Sequence, residues 1–112
     1  MKYDIKIDKF GTKRYYVNNI LHRENGPAVV YVNGDTGWFK NGKRHREGGP
    51  AIEWNTGYKA WHKEGKLHRE DGPAIEHVNG TKEWWFNNIN YGYNNKFTNK
   101  SWERFIKTLI FS

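Results

Sequence analysis

The chain contains no cysteine, so disulfides and thiolate metal centres are excluded. Proline is scarce: there are only three, and all lie inside one recurring motif. Hydrophobic residues make up 36% of the chain, low for a compact globule. No run is long or apolar enough for a signal peptide or a membrane span. A cytoplasmic location is expected from these absences, the host cytoplasm if the source is viral. Acidic side chains are also in deficit, 12 against 19 Lys and Arg, giving a formal net charge of +7. Such a surface suits a nucleotide, a nucleic acid, anionic lipid or an acidic protein, or it serves solubility alone.

What the chain has in excess is aromatic area: 17% of residues, with six Trp, seven Tyr and six Phe. Aromatics bury the most surface per residue, so a few can hold a thin fold together. A length of 112 residues implies one domain with a modest core.

The motif that holds the prolines occurs three times: His22-Arg23-Glu24-Asn25-Gly26-Pro27-Ala28, His45 to Ala51, and His68 to Ala74, each copy 23 residues after the last. A fixed period of this size is the signature of a repeat array. Eleven residues before each His stand Gly11, Gly34 and Gly57, and the phase continues to Gly80 with Tyr91 in place of the His. Four copies result, over residues 10–32, 33–55, 56–78 and 79–93, the last truncated. One aromatic column is Tyr15, Trp38, Trp61 and Trp84; the next column is Tyr16, Phe39, His62 and Trp85. Turn residues follow at Asn18-Asn19, Asn41-Gly42, Glu64-Gly65 and Asn87-Asn88, types that tolerate positive φ. A second strand begins after each Pro-Ala, at Val29, Ile52 and Ile75.

Turn signals every 10 to 12 residues predict an antiparallel meander. A unit of 23 residues cannot bury its own face, so the copies must stack. The expected fold is mainly β: an elongated antiparallel meander of stacked β-hairpin repeats, about eight strands. Residues 1–9 supply an N-terminal strand, since Tyr3, Ile5 and Ile7 alternate with Asp4, Lys6 and Asp8. The tail switches period: Trp102, Phe105, Ile106, Leu109 and Ile110 form one stripe of an amphipathic helix over 97–112. Thr98, Asn99 or Ser101 can cap it, without a clean capping box. The helix reads as a lid on Trp84, Trp85 and Phe86, or as a docking or dimerisation element.

The segment Trp38-Phe39-Lys40-Asn41-Gly42-Lys43-Arg44-His45 followed by Gly48-Gly49 resembles the MORN (membrane occupation and recognition nexus) repeat. Period, turn and aromatic phase agree over about residues 10–93. Arg-Glu-x-Gly-Pro-Ala stands where the family has Gly-x-Gly-aromatic, a form similar to MORN-like repeats of phage and bacterial proteins. The resemblance implies hairpins in a single-layered elongated sheet, and binding or scaffolding rather than catalysis.

Several residues are candidates for a site. His22, His45 and His68 would be roughly 10 Å apart in stacked hairpins, too far to share a metal held at about 2 Å; each imidazole is expected to bond a turn carbonyl. Arg23, Arg46 and Arg69 either pair with a Glu of another copy or form a row of guanidinium groups able to fork onto phosphate. Gly-Pro-Ala reads as a strand start that releases the turn. Trp38, Trp61 and Trp84 form the core or, interleaved with Lys13, Lys40, Lys59, Lys63 and Lys82, a stacking platform for bases. Where copies disagree, recognition is copy-specific: His62 interrupts the aromatic column, His77 stands where Tyr31 and Trp54 do, and Arg44 replaces Leu21 and Leu67. Lys59 and Lys63 join them.

No nucleophile–base pair, phosphate-cradling loop or metal signature stands out from the periodic background. No enzyme, cofactor or metal is expected. The favoured expectation is a non-catalytic interaction module, a phage or bacterial protein that binds and modulates a host macromolecule such as a defence or regulatory protein. The alternative is a nucleotide or nucleic-acid sequestering protein, for example an anti-defence sponge for a cyclic nucleotide signal. A membrane partner is not expected; homo-oligomers would form through the helix or the sheet edges.

Overall fold

The computed structural model describes residues 1–111. Its extents of 45 × 32 × 18 Å are those of a slab, one sheet thick with a helix at one end. Each copy starts with a strand whose two halves bond to different partners. In the first copy this is β2 (Lys13–Val17). Its first half pairs with β4 (Val29–Val30), its second with β3 (Ile20–Leu21). In the second copy the strand breaks at Trp38 into β5 (Thr36–Gly37) and β6 (Phe39–Lys40). The third breaks at Trp61 into β9 (Lys59–Ala60) and β10 (His62–Lys63). The break follows from the bonding: Trp38 donates its N–H to the Ala51 carbonyl at 2.7 Å, while the Phe39 carbonyl accepts Arg23 N–H of the preceding copy at 3.1 Å.

The turn then reverses the chain into a return strand, β3 in the first copy, β7 (Lys43–Arg44) and β11 (Lys66–Leu67) in the next two. Asn41 (φ 52°) and Gly42 (φ 79°) are both in the left-handed region, the geometry of a two-residue hairpin turn matched to strand twist. After the His-Arg-Glu-x-Gly-Pro-Ala loop comes the closing strand, β4, β8 (Ile52–Glu53) or β12 (Ile75–Glu76). The fourth copy supplies β13 (Lys82–Phe86) and β14 (Ile89–Tyr93).

With β1 (Asp4–Ile7), the main antiparallel sheet runs β1-β2-β4-β5-β8-β9-β12-β13-β14, and β3 lies beside β2. The β6-β7 and β10-β11 hairpins form two further small sheets. The mainly β meander is the one expected. Its strands number fourteen among the described residues rather than about eight, because each copy has a return strand and the long strand is interrupted at Trp38 and Trp61.

The copies join through a recurring turn in which Tyr31 N–H bonds the Asp35 carbonyl at 2.9 Å, repeated at Trp54–Tyr58 and His77–Thr81. Asp8 and Thr12 make the same turn. Asp8 thus occupies the place of Tyr31, and β1 is in phase with the closing strands β4, β8 and β12 rather than a separate leader.

Helix α1 (Asn99–Ile110) caps the array; Ser112, included in the expected helix, lies outside the described residues. A capping box is present after all. The Thr98 hydroxyl accepts Ser101 N–H at 3.0 Å, and Ser101 Oγ accepts Thr98 N–H at 2.8 Å. Ser stands where Glu or Gln is usual, which hides the box from a sequence reading. Trp102 and Ile106 are buried against Trp84, with Phe86, Tyr91, Phe97, Phe105 and Leu109 around them. Trp85, expected under the lid, points to the other face and bonds Glu83 Oε1 at 3.0 Å. Ile110, at the end of the expected stripe, is exposed. Trp102 is fully buried and donates Nε1–H to the Arg69 carbonyl at 2.7 Å, so the lid grips both the third and the fourth copy.

Truncation of Trp102 to Ala is expected to cost about 3–5 kcal/mol, measured by chemical denaturation. A loss below about 1 kcal/mol would show that the lid does not hold the array.

Candidate functional site

Period-2 alternation gives the sheet two faces with different chemistry. One carries the repeated His, Arg and aromatic residues, and there each polar group has a structural task. The Nδ1 atoms of His22, His45 and His68 accept the backbone N–H of Asn41, Glu64 and Asn87, at 3.0, 3.0 and 3.2 Å. Each acceptor is thus bonded to the turn of the next copy. The donor is a turn N–H, not the expected carbonyl. It requires a bare Nδ1 and so a proton on Nε2, which faces Glu24 at 2.7 Å and Glu47 at 3.0 Å. In the third copy Glu70 has drawn back to 3.7 Å and His68 Nε2 is buried without a partner. Burial, with Lys63 nearby, holds the His68 imidazole below its ordinary pKa.

The arginines lie flat on the aromatic column. The guanidinium carbons of Arg23, Arg46 and Arg69 sit 4.0, 4.0 and 3.9 Å from the ring centres of Tyr15, Trp38 and Trp61, a cation–π geometry. Each donates Nη1–H to the carbonyl of its own Pro27, Pro50 or Pro73 at 3.1–3.2 Å. Arg46 also meets Glu53 at 3.2 Å, and Arg69 meets Glu76 at 2.9 Å. These pairs form within a copy, where pairing between copies was expected, because the seven-residue step spans the loop back to the closing strand. The Gly of Gly-Pro-Ala also has a different reason from the one inferred. A Cβ on Gly26, Gly49 or Gly72 would come within 2.7–2.8 Å of the Arg guanidinium carbon, so Gly makes room for the stacked cation. Trp84 has no such Arg; Trp102 stacks there at 5.5 Å between ring centres.

The opposite face is different. There Gly37 and Ala60 occupy the strand position held at the two ends by Arg14 and Glu83. The missing side chains leave a groove of about 460 Å³. Phe39, Arg44 and His62 wall it on the hairpin side, and Tyr31, Trp54 and Tyr58 on the side of the inter-copy turns. Trp54 and Tyr58 stack at 4.5 Å with 32° between planes, and His77 follows Tyr58 at 5.6 Å. Trp54 is 50% exposed and Tyr31 45%.

The electrostatics of the groove are one-sided. Arg14 is tied to Asp8 at 2.9 Å, and His77 to Glu83 at 2.5 Å. The Arg44 guanidinium has no hydrogen bond or ion pair among the described residues, nor do the Tyr31 and Tyr58 hydroxyls or Trp54 Nε1. His62 is buried, 8% exposed, and its Nδ1 has no partner. Burial, helped by the Arg44 charge, pushes its pKa down to about 4. Burial also raises the Tyr58 hydroxyl, with Glu83 adding to the effect.

Of the residues singled out in the sequence, the groove brings together Arg44 and His62, with His77 at its end beside Tyr58. Arg23, Arg46, Arg69, Trp38, Trp61, Trp84, Lys59 and Lys63 lie on the other face. Lys59 stands opposite Glu53 and Glu76 in the sheet. Sequence reading did not nominate Phe39, Tyr31, Trp54 and Tyr58 as a site, although alternation from Gly37 and Ala60 puts Phe39 and Tyr58 on that face, and the pairing of Gly37 with Val29 and Ile52 adds Tyr31 and Trp54 two residues on. Among the described residues no three groups able to ligate a metal converge, and no helix is long and apolar enough to cross a membrane. Comparison with known protein families, curated proteins and solved structures finds no match to this chain.

The depressed His62 pKa links stability to pH. Below about pH 6.5 the unfolded chain takes a proton that the folded chain refuses until about pH 4, so stability falls across that window. His62→Phe, the residue type of the second copy, removes this loss. Relative to wild type, the variant is expected to gain about 2 kcal/mol between pH 7.5 and pH 5, read by urea denaturation at each pH. Parallel stability curves for the two proteins would contradict a buried neutral His62.

Proposed function

We propose that the protein is a non-catalytic binding module whose working surface is the groove face, and that its ligand carries a flat ring and an acceptor-rich anion, as a nucleotide does. The observation behind this reading is the imbalance between the faces. Polar groups of the histidine face are nearly all bonded to one another. Those of the groove face converge on an apolar floor with their donors free, the usual composition of a ligand site. Trp54 and Tyr58 offer an exposed ring pair on which a base can stack, worth about 1–3 kcal/mol per base. Arg44 offers a fork for phosphate. The Tyr31 and Tyr58 hydroxyls can donate to sugar or base oxygens.

Nothing among the described residues of the groove pairs a nucleophile with a base: no Ser, Thr or carboxylate faces His62 Nδ1 within hydrogen-bond reach. Holding, not converting, the ligand is the role such a site serves. The resemblance to repeats of phage and bacterial proteins supports reading that role as the sequestering of a host nucleotide signal. A host protein that inserts an aromatic and a carboxylate side chain would use the same donors, and is the reading that follows if nucleotides are ignored.

The test is titration with a panel of purine and pyrimidine mononucleotides and dinucleotides, followed by Trp emission and thermal shift. A binding nucleotide is expected to quench Trp54. Arg44→Ala is expected to weaken it at least tenfold, about 1.4 kcal/mol, and raised salt to weaken wild type more than the variant. Silence across the panel, or equal affinity for wild type and Arg44→Ala, would defeat the nucleotide reading.

A further inference from the structure

The two ends of the repeat array are not finished alike. One end carries α1, whose Trp102 and Ile106 pack on Trp84 beside the outermost strand β14. At the other, β1 is the outermost strand of the main sheet, with β2 its single neighbour. Because β1 is in phase with β4, β8 and β12, its open edge is where the array would receive a further strand. In the closing strands that edge is occupied: Val30 lies opposite Lys13 of its own copy. The equivalent residue in β1 is Ile7, which is 67% exposed, and Ile5 is 47% exposed.

The free backbone groups of this edge can be assigned. Asp8 donates its N–H to the Thr12 carbonyl, and Tyr15 donates its N–H to Ala28 on the far side of β2. Register pairs Asp4 with Tyr16 and Lys6 with Arg14. Alternation therefore turns Asp4, Lys6 and Asp8 backbone groups inward, and leaves those of Tyr3, Ile5 and Ile7 pointing outward. A partner strand must bond to these three.

From this edge we infer that the array's open end is a docking surface for β1 of a second copy, joined antiparallel about Ile5. Tyr3 then lies opposite Ile7 of the partner, and Ile5 opposite its own counterpart. On the groove face the same register sets Asp4 opposite Lys6 and Lys2 opposite Asp8. The alternating charges of Lys2, Asp4, Lys6 and Asp8 reverse sign exactly under this two-fold, so every facing pair is opposite. Shifting by the smallest step that keeps the outward groups matched sets Asp4 against Asp4, or Lys6 against Lys6. Like charges directly opposite destabilise a strand pair, so one register is selected. A charge pointing from an edge strand normally discourages association; here the edge repels other strands and complements itself.

The contact is isologous. Each copy uses its single β1 edge in this contact, so association through it closes at two copies. The two-fold stands perpendicular to the sheet, so both grooves open on the same side of one continuous sheet. The inference does not depend on what the grooves hold.

Sedimentation of the full chain from about 1 µM to about 500 µM tests it, a range set by the small area of a four-residue strand pair. Wild type is expected to dimerise reversibly. Asp4→Lys and Lys6→Asp are each expected to stay monomeric at concentrations where wild type is dimeric, with unchanged circular dichroism. Mixed together, the two single variants face each other with opposite charges and are expected to associate, and the double swap Asp4→Lys/Lys6→Asp to dimerise like wild type. A wild type that stays monomeric throughout the range overturns the inference. So does a single-charge variant that dimerises as well as wild type, or a mixture of the two that does not associate.

Discussion

One bond carries the architecture: the imidazole nitrogen of one copy accepting the first turn N–H of the next. A two-residue turn with positive φ leaves that N–H without a partner in its own hairpin. Burying it between stacked copies would cost about 1–3 kcal/mol if it stayed unpaired. His22, His45 and His68 supply the acceptor 19 residues upstream, and the Glu two residues on holds the first two rings in the tautomer that can accept. The remaining motif follows from the same loop. Arg lies across the aromatic ring, Gly clears space for it, the Pro carbonyl receives its N–H, and the Ala beneath is fully buried in all three copies. A motif with the look of a catalytic signature is instead a joint.

That division of labour explains why the two faces differ. A single-layered sheet has to stabilise itself mostly from one side, and here the histidine face does so with cation–π stacks and short polar relays. The other face is free of this duty in the two middle copies. Gly37 and Ala60 can then be small, and their neighbours can leave donors unpaired. The ends do not share this freedom: Arg14 and Glu83 fill the same strand position and are tied to Asp8 and His77. The groove is therefore a property of the array's middle, created by what two copies omit.

Much of this was legible from residues alone. A 23-residue period, turn chemistry and a change to helical spacing at Trp102 were enough for the stacked meander and its lid. What the period hid was anything that depends on direction. It could not say whether His accepts or donates, so the turn carbonyl was the wrong partner. It could not show that Arg46 folds back onto its own copy, where Glu53 waits seven residues on. It also masked β1, whose turn at Asp8 to Thr12 belongs to the repeat although its sequence shares little with Tyr31 to Asp35. For the site, departures between copies singled out Arg44, His62, His77, Lys59 and Lys63; the first two line the groove, while Lys59 and Lys63 lie on the other face. They missed Trp54 and Tyr58, which become neighbours only because the inter-copy turn brings them together. The repeated Arg and Trp columns drew attention because they recur, and recurrence marks the scaffold.

The most direct measurement of the joint is the tautomeric state of His22 and His45, read from imidazole nitrogen shifts and ring couplings in a ¹⁵N-labelled sample at about pH 8, where free imidazole is neutral. The expected result is a protonated Nε2 and a bare Nδ1 on both rings, with the Asn41 and Glu64 amide protons shifted downfield and slow to exchange. Protonated Nδ1 atoms, or Asn41 and Glu64 amides that exchange at the rate of open turns, would contradict the bond on which the stacking of copies rests.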